Sequence, residues 1–348
     1  MRRLPILLLG LCVLAGALTA CVPGSTSAHG PIAMLLPDKK TARYETFDRP
    51  LFEARVAELG DYDVLYANAD QDAARQQQQA ESALAAGAEV LVLDPVDARA
   101  AATIVAAARA QDVPVIAYDR LISGGGLAYY ISFDNERVGE LQATALVTAL
   151  ADRGQADAGI LMVNGSPTDS NAALFRAGAR RILDESGLRV LAEYDTPDWS
   201  PDKAQSWVAG QISQYGADIA GVYAANDGTA SGAVAALRAA DVSPFPVVTG
   251  QDAELSALQR IVAGDQYMTV YKALKPQAER AAEVAVDLLH GRTVTGEIEV
   301  DGTPATLLTP VAVTVADILD TVVADGFWSV EDICTPDYAA ACAAAGLQ

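Results

Sequence analysis

One interruption constrains this fold more than any other stretch: residues 113–146, where a regular strand–helix alternation breaks down. A short apolar run, 113–118, ends on the charged pair Asp119-Arg120. Such a run, rich in β-branched residues, reads as a buried strand delivering polar groups at its carboxyl end. That is where ligands sit in open α/β sheets. A Gly-rich turn at 123–126 leads into a second apolar run, 129–133, with no helix between the two. Asp134-Asn135 then offers a helix N-cap, with Glu136 in the first turn. Val138, Leu141 and Ala145 recur at helical spacing. The chain is expected to leave one lobe here and enter a second.

Elsewhere the alternation holds. Candidate strands are 32–36, 64–67, 90–93, 113–118, 158–163, 190–194, 220–224, 245–248 and 267–271. Segments long enough for a helix lie between most of them, among them 72–86, rich in Ala and Gln, and the Ala-rich 98–110. Repeated β-α units predict parallel sheets with helices on both faces. A chain of 348 residues with this many strands exceeds one core. The expected class is therefore α/β, with two doubly wound parallel-sheet lobes. Past Lys272, residues 275–289 predict a helix, 292–300 an irregular segment, 306–310 a strand crossing between lobes, and 313–323 a last strand or helix in the second lobe.

The N-terminus is read as lying outside the fold. Arg2-Arg3 precedes an apolar run at 4–18 that is short for a bilayer span, and Leu18-Thr19-Ala20-Cys21 follows. This is the architecture of a secretory signal. Its Leu-x-Ala-Cys ending resembles a bacterial lipobox, which implies a signal at 1–20, lipid on Cys21 and a tether at 21–30. In an exported chain, Cys334 and Cys342 are expected to pair, pinning the tail at 331–348. Metal binding there is the alternative, although no histidine lies near. The net charge of −21, with no basic stripe, argues against nucleic acid.

Catalysis has little support. His29 and His290 are the two histidines, so a Ser-His-Asp constellation is not credible. Zinc-ligand, redox-cysteine and phosphate-loop motifs are absent from the sequence, and no metal or cofactor is expected. Polar groups at strand ends are what stand out. Arg43-Tyr44, Asp119-Arg120, the run 164–171, Asp198-Trp199, Asn226-Asp227, Gln251-Asp252 and Lys272 each follow a candidate strand. Singly, each has a structural explanation, such as an N-cap or a solvated charge. Together they mix Arg, Lys, Asp and Asn with two aromatics, as a pyranose requires. A sugar hydroxyl both donates and accepts, and hydrogen bonds to charged partners contribute about 1.5–3 kcal/mol each. The C–H faces of a sugar can lie on aromatic rings. An uncharged sugar needs no excess charge, and Arg43, Arg120 and Lys272 roughly balance Asp169 and Asp252.

At these residues the chain resembles the sugar-binding proteins of bacterial ABC transporters, with the type I periplasmic-binding fold, and most closely their D-xylose-binding group. The segments carrying the likeness are AYDR (117–120), YYISFDNERVGELQA (129–143), GSPTDSNAALFRAG (165–178), AAND (224–227), GQDAELSALQRIVAGDQYMTVYK (250–272) and LLTP (307–310). The resemblance implies an N-terminal lobe of 31–134 and 275–307, and a C-terminal lobe of 135–274 and 308–330. A three-segment hinge would join them near 133–135, 272–275 and 308–310. It implies Arg43, Arg120, Asp169, Asn171, Asn226, Asp252 and Lys272 as sugar ligands, with Tyr44 and Trp199 sandwiching the ring. Tyr44 stands where the family usually has Trp, and Ser170 replaces an Asn. The tail past Trp328 is an extension. The implied partners are D-xylose or a related aldose (glucose, galactose and arabinose are alternatives) and a permease with a cytoplasmic ATPase. The protein would be a monomer held by its lipid on the outer face of the cytoplasmic membrane. A sugar sensor serving a membrane chemosensory or kinase receptor would share fold and pocket.

Overall fold

The computed structural model describes residues 29–347. The expected signal, Cys21 and residues 22–28 of the tether lie outside them. Strands β1 (Ile32–Leu36), β2 (Val64–Asn68), β3 (Val90–Leu93), β4 (Val115–Tyr118) and β5 (Tyr129–Phe133) come first in the chain. Next are β6 (Gly159–Asn164), β7 (Arg189–Asp195), β8 (Ile219–Ala224), β9 (Val247–Val248) and β10 (Met268–Tyr271). The last are β11 (Ile298–Val300), β12 (Thr303–Leu308) and β13 (Val311–Thr314).

The first sheet has the order β11-β12-β5-β4-β3-β1-β2. Its pairings are parallel except for the β11–β12 hairpin at one edge. Every residue of β1 and β3 is buried. Side chains alternate between faces along a strand, so Ile32, Met34 and Leu36 feed one core while Ala33 and Leu35 feed another. A sheet covered on both faces produces such unbroken apolar runs. The second sheet runs β7-β6-β8-β9, and the antiparallel pair β10–β13 extends it. The Tyr267 amide donates to the Val248 carbonyl at 2.8 Å, and that of Val270 to Gly250 at 3.1 Å.

Helices α1 (Arg49–Leu59), α2 (Ala73–Ala85) and α3 (Ala102–Arg109) flank the first sheet, and α4 (Asn135–Asp152), α5 (Ser170–Leu183), α6 (Pro201–Tyr215), α7 (Asp227–Ala239) and α8 (Leu255–Ala263) flank the second. Helix α9 (Leu274–Leu289) returns to the first, packing Ala278, Ala281 and Ala285 against Ile116 and Phe52. Two short helices, α10 (Val330–Ile333) and α11 (Ala339–Ala345), end the described chain. The chain passes between sheets three times: from β5 to α4, from β10 to α9, and from β12 to β13. The Asp134 amide donates to the Leu308 carbonyl at 2.9 Å, tying the first passage to the third.

As the sequence indicated, residues 119–128 contain no helix; β4 and β5 are parallel neighbours, and the chain leaves the first sheet after β5. Several other elements differ from expectation. The segment 292–300 ends in β11, whose three residues pair only with the next strand and are too short to show a period. Helix α3 starts late because the Asp97 carboxylate accepts the Arg99 and Ala100 amides and turns the chain first. Residues 313–323 hold the end of β13 and two single helical turns, Val315–Asp317 and Leu319–Val323. The tail is folded. Cys334 and Cys342 form a disulfide, and Ile333, Cys342 and Leu347 pack with Leu258 and Ile261 of α8.

Candidate functional site

At the carboxyl ends of strands from both sheets lies one small cavity. All nine residues singled out from the sequence line it, together with Thr41, Asp119, Phe175 and Gln251.

The first-lobe wall is built on two arginines. Arg43 precedes the helical turn Tyr44–Asp48, which follows β1. Its Nε and Nη2 donate to the two oxygens of Asp48 at 2.8 and 2.9 Å. Its Nη1 donates to Asp119 at 2.9 Å and its Nη2 also to Gln277 at 2.8 Å. Arg120, after β4, donates to the Pro95 carbonyl and to the Tyr44 hydroxyl, each at 3.0 Å. Tyr44 is therefore more than a ring for stacking: its hydroxyl holds Arg120, and the Arg43 guanidinium lies 5.3 Å from its ring centroid.

The second-lobe wall rests on helix caps and strand ends. Asp169 caps α5, one oxygen accepting the Asn171 amide at 2.8 Å and the other the Trp199 indole N–H at 3.0 Å. Trp199 can approach because position 165 is glycine; a Cβ there would sit 2.0 Å from the indole ring. Asn226 caps α7 in a reciprocal box with Thr229. Asp252 follows β9 and pairs with Lys272, beyond β10, at 2.8 Å. The Lys272 ammonium also lies 5.7 Å from the Phe133 ring centroid and 5.9 Å from that of Phe175. The walls touch: Arg120 Nε is 2.9 Å from Asp169, Asn171 Nδ2 donates to the Asp119 carbonyl at 3.2 Å, and the Ala98 amide donates to the Thr168 carbonyl at 3.0 Å.

A family model described as a periplasmic binding protein domain matches residues 32–293. The chain belongs to the periplasmic binding protein family, type I. Members of that family are solute receptors, not enzymes. The chain is 35% identical over 331 residues to the D-xylose-binding periplasmic protein of Haemophilus influenzae, covering 93% of this chain and 98% of that one. Identity is also 35%, over 320 residues, with the Escherichia coli protein of the same name, covering 89% and 95%. A solved ABC transporter solute binding protein from Clostridium phytofermentans with bound β-D-glucose superposes with a TM-score of 0.80 at 26% identity, covering 87% of this chain and 99% of that one.

The site of this binding protein is more acidic than its sequence suggested. Arg43, Arg120 and Lys272 face not only Asp169 and Asp252 but also buried Asp38, Asp48, Asp94 and Asp119. So many carboxylates cannot all share one environment. Burial works to raise the Asp119 carboxyl, but Arg43, Lys272 and Arg120 outweigh it and hold the group at about 2. For Asp94 burial prevails over Arg120, with Asp119 adding to it, and the carboxyl is pushed well up. Neither Asp94 oxygen has a hydrogen-bond partner, and Arg120 Nε is 3.4 Å away. Asp169 is raised as well, again chiefly by burial.

Asp38 and Asp94 were missed although each lies just beyond a strand, the same cue that marked the others. Asp48 and Gln277 sit in helical segments and carry no local cue. Nor did the sequence show backbone strain at Asp119, Trp199 and Asp252, whose φ values are 60°, 53° and 97°. Such conformations cost about 1–3 kcal/mol each and persist where surrounding structure enforces them. Here the Asp119 amide is tied to the Ile131 carbonyl and that of Asp252 to Val270, both at 2.8 Å. Among the described residues no His, Cys, Asp and Glu cluster is arranged to hold a metal.

Proposed function

We propose that this chain is the solute-binding component of an ABC sugar importer and captures an aldopyranose, D-xylose first, between its lobes. The observation carrying this is the cavity itself. Charged donors and acceptors from both lobes converge on one small cavity walled by Trp199, Phe175 and Tyr44. Arg43 and Arg120 donate to hydroxyl oxygens, Asp169 and Asp252 accept hydroxyl protons, and Asn171, Asn226 and Lys272 complete the shell. Xylose ranks first because both relatives at 35% identity are named for it. Glucose follows from the Clostridium structure.

Solute bridging the walls favours the closed arrangement by its differential affinity for it. Hinge closure is the general behaviour of periplasmic binding proteins. The lobes of this reading are 31–134 with 275–307, and 135–274 with 308–330. Lipid on Cys21 holds the monomer at the outer face of the cytoplasmic membrane, where it passes sugar to a permease. Calorimetry against pentoses and hexoses tests the assignment. D-xylose is expected to bind most tightly, and Asp252→Ala, which leaves Lys272 buried without its partner, is expected to weaken it by about 2–5 kcal/mol. Wild-type protein that binds no aldose, or Asp252→Ala protein that binds as well as wild type, defeats the assignment.

A further inference from the structure

Away from the solute cavity, the two lobes meet again through aromatic rings. Phe47 stacks on Phe327, with ring centroids 4.1 Å apart and planes 14° from parallel. It also meets Trp328 edge-on at 5.1 Å. Phe47 belongs to the first lobe, on the turn Tyr44–Asp48 that carries Tyr44 and leads into α1. Its partners belong to the second. The Trp328 indole donates to the Ala253 carbonyl at 3.0 Å, one residue from Asp252. Phe327 packs edge-on against Tyr271 at 5.1 Å, one residue from Lys272. Both lie just before the tail that the Cys334–Cys342 disulfide closes and that packs on α8. None of the three rings lines the cavity.

Phe47 therefore moves with Tyr44, and Phe327 and Trp328 move with Asp252 and Lys272, so these ring contacts exist only while the lobes are together. We infer that Phe47, Phe327 and Trp328 form an aromatic clasp between the lobes that sets how long a captured solute stays, whatever that solute is. The inference rests on the reading that the lobes close around a sugar. A contact made only in the closed form raises the closed fraction, and apparent affinity scales with that fraction. The clasp touches no ligand, so it strengthens every solute by the same factor. The disulfide-closed tail gives one arm a fixed seat, and the turn bearing Tyr44 gives the other.

The test is calorimetry and stopped-flow release with D-xylose and D-glucose on wild type, Phe47→Ala, Phe327→Ala and the double variant. Each single substitution is expected to weaken every sugar that binds by roughly tenfold, through faster release with association nearly unchanged. The double variant is expected to be little worse than the poorer single, since either change removes the same contact. Unchanged release, losses that differ between sugars, or losses that multiply in the double variant overturn the clasp. Should Phe47→Ala not fold, Phe47→Leu keeps bulk without the ring and is read the same way, with a smaller loss expected. Wild-type protein that binds no sugar defeats the proposed function, and the clasp is then read by small-angle scattering without ligand. A larger radius of gyration for Phe47→Ala than for wild type upholds it, and an equal radius overturns it.

Discussion

The two walls of the cavity hold their functional groups by different means. On the first-lobe wall the ties are long-range: Arg43 reaches Asp119, 76 positions away, and Gln277, 234 positions away. The second-lobe wall adds local ties to its longer ones: Asp169, which also holds Trp199 30 positions on, and Asn226 each accept an amide two or three residues on, as caps of α5 and α7. Removing one long-range tie strands several buried charges at once, whereas removing a cap releases one amide. The first wall should therefore be brittle and the second tolerant.

The strongest way to break this contrast is Arg43→Ala. It leaves Asp48 and Asp119 buried without their guanidinium, and stability is expected to fall by about 3–5 kcal/mol in urea denaturation. A loss under about 1 kcal/mol would show that ion pairs do not hold this wall. A titration sharpens the point. The folded Asp119 carboxyl lies at about 2, below its ordinary value. Its stabilisation is therefore complete above about pH 4 and lost as pH falls from there towards 2. The stability gap between wild type and Asp119→Asn is expected to shrink by roughly 2 kcal/mol across that window, and a gap that stays constant would contradict it. The smallest effect belongs to the second wall. Asn226→Ala should cost about 1 kcal/mol, seen as a modest fall in Tm. If it costs as much as Arg43→Ala, the two walls do not differ as described.

The same contrast governs what was legible beforehand. Asp169, Asn226, Asp252 and Lys272 announce themselves because a polar residue directly beyond an apolar run is a local signal. Arg43 and Arg120 were legible by the same cue, but the residues gripping them were not. Asp48 and Gln277 look like ordinary helix-surface residues until packing buries them at 0% exposure. The estimate of balanced charge failed for that reason: it counted residues expected to touch solute and omitted Asp38, Asp48, Asp94 and Asp119. The helical tail also went unread, because α10 and α11 are short and lean on α8 for their burial.

The sequence alone determined the α/β class, the two sheets and the strand ends that line the cavity, because period and capping act over neighbouring residues. Tertiary structure alone decided which carboxylate holds which arginine, which carboxyls burial pushes up, and that Phe47 meets Phe327 across the lobes. Those outcomes depend on distances between residues far apart in the chain and on how much water packing removes. Neither quantity is written in any short stretch of residues.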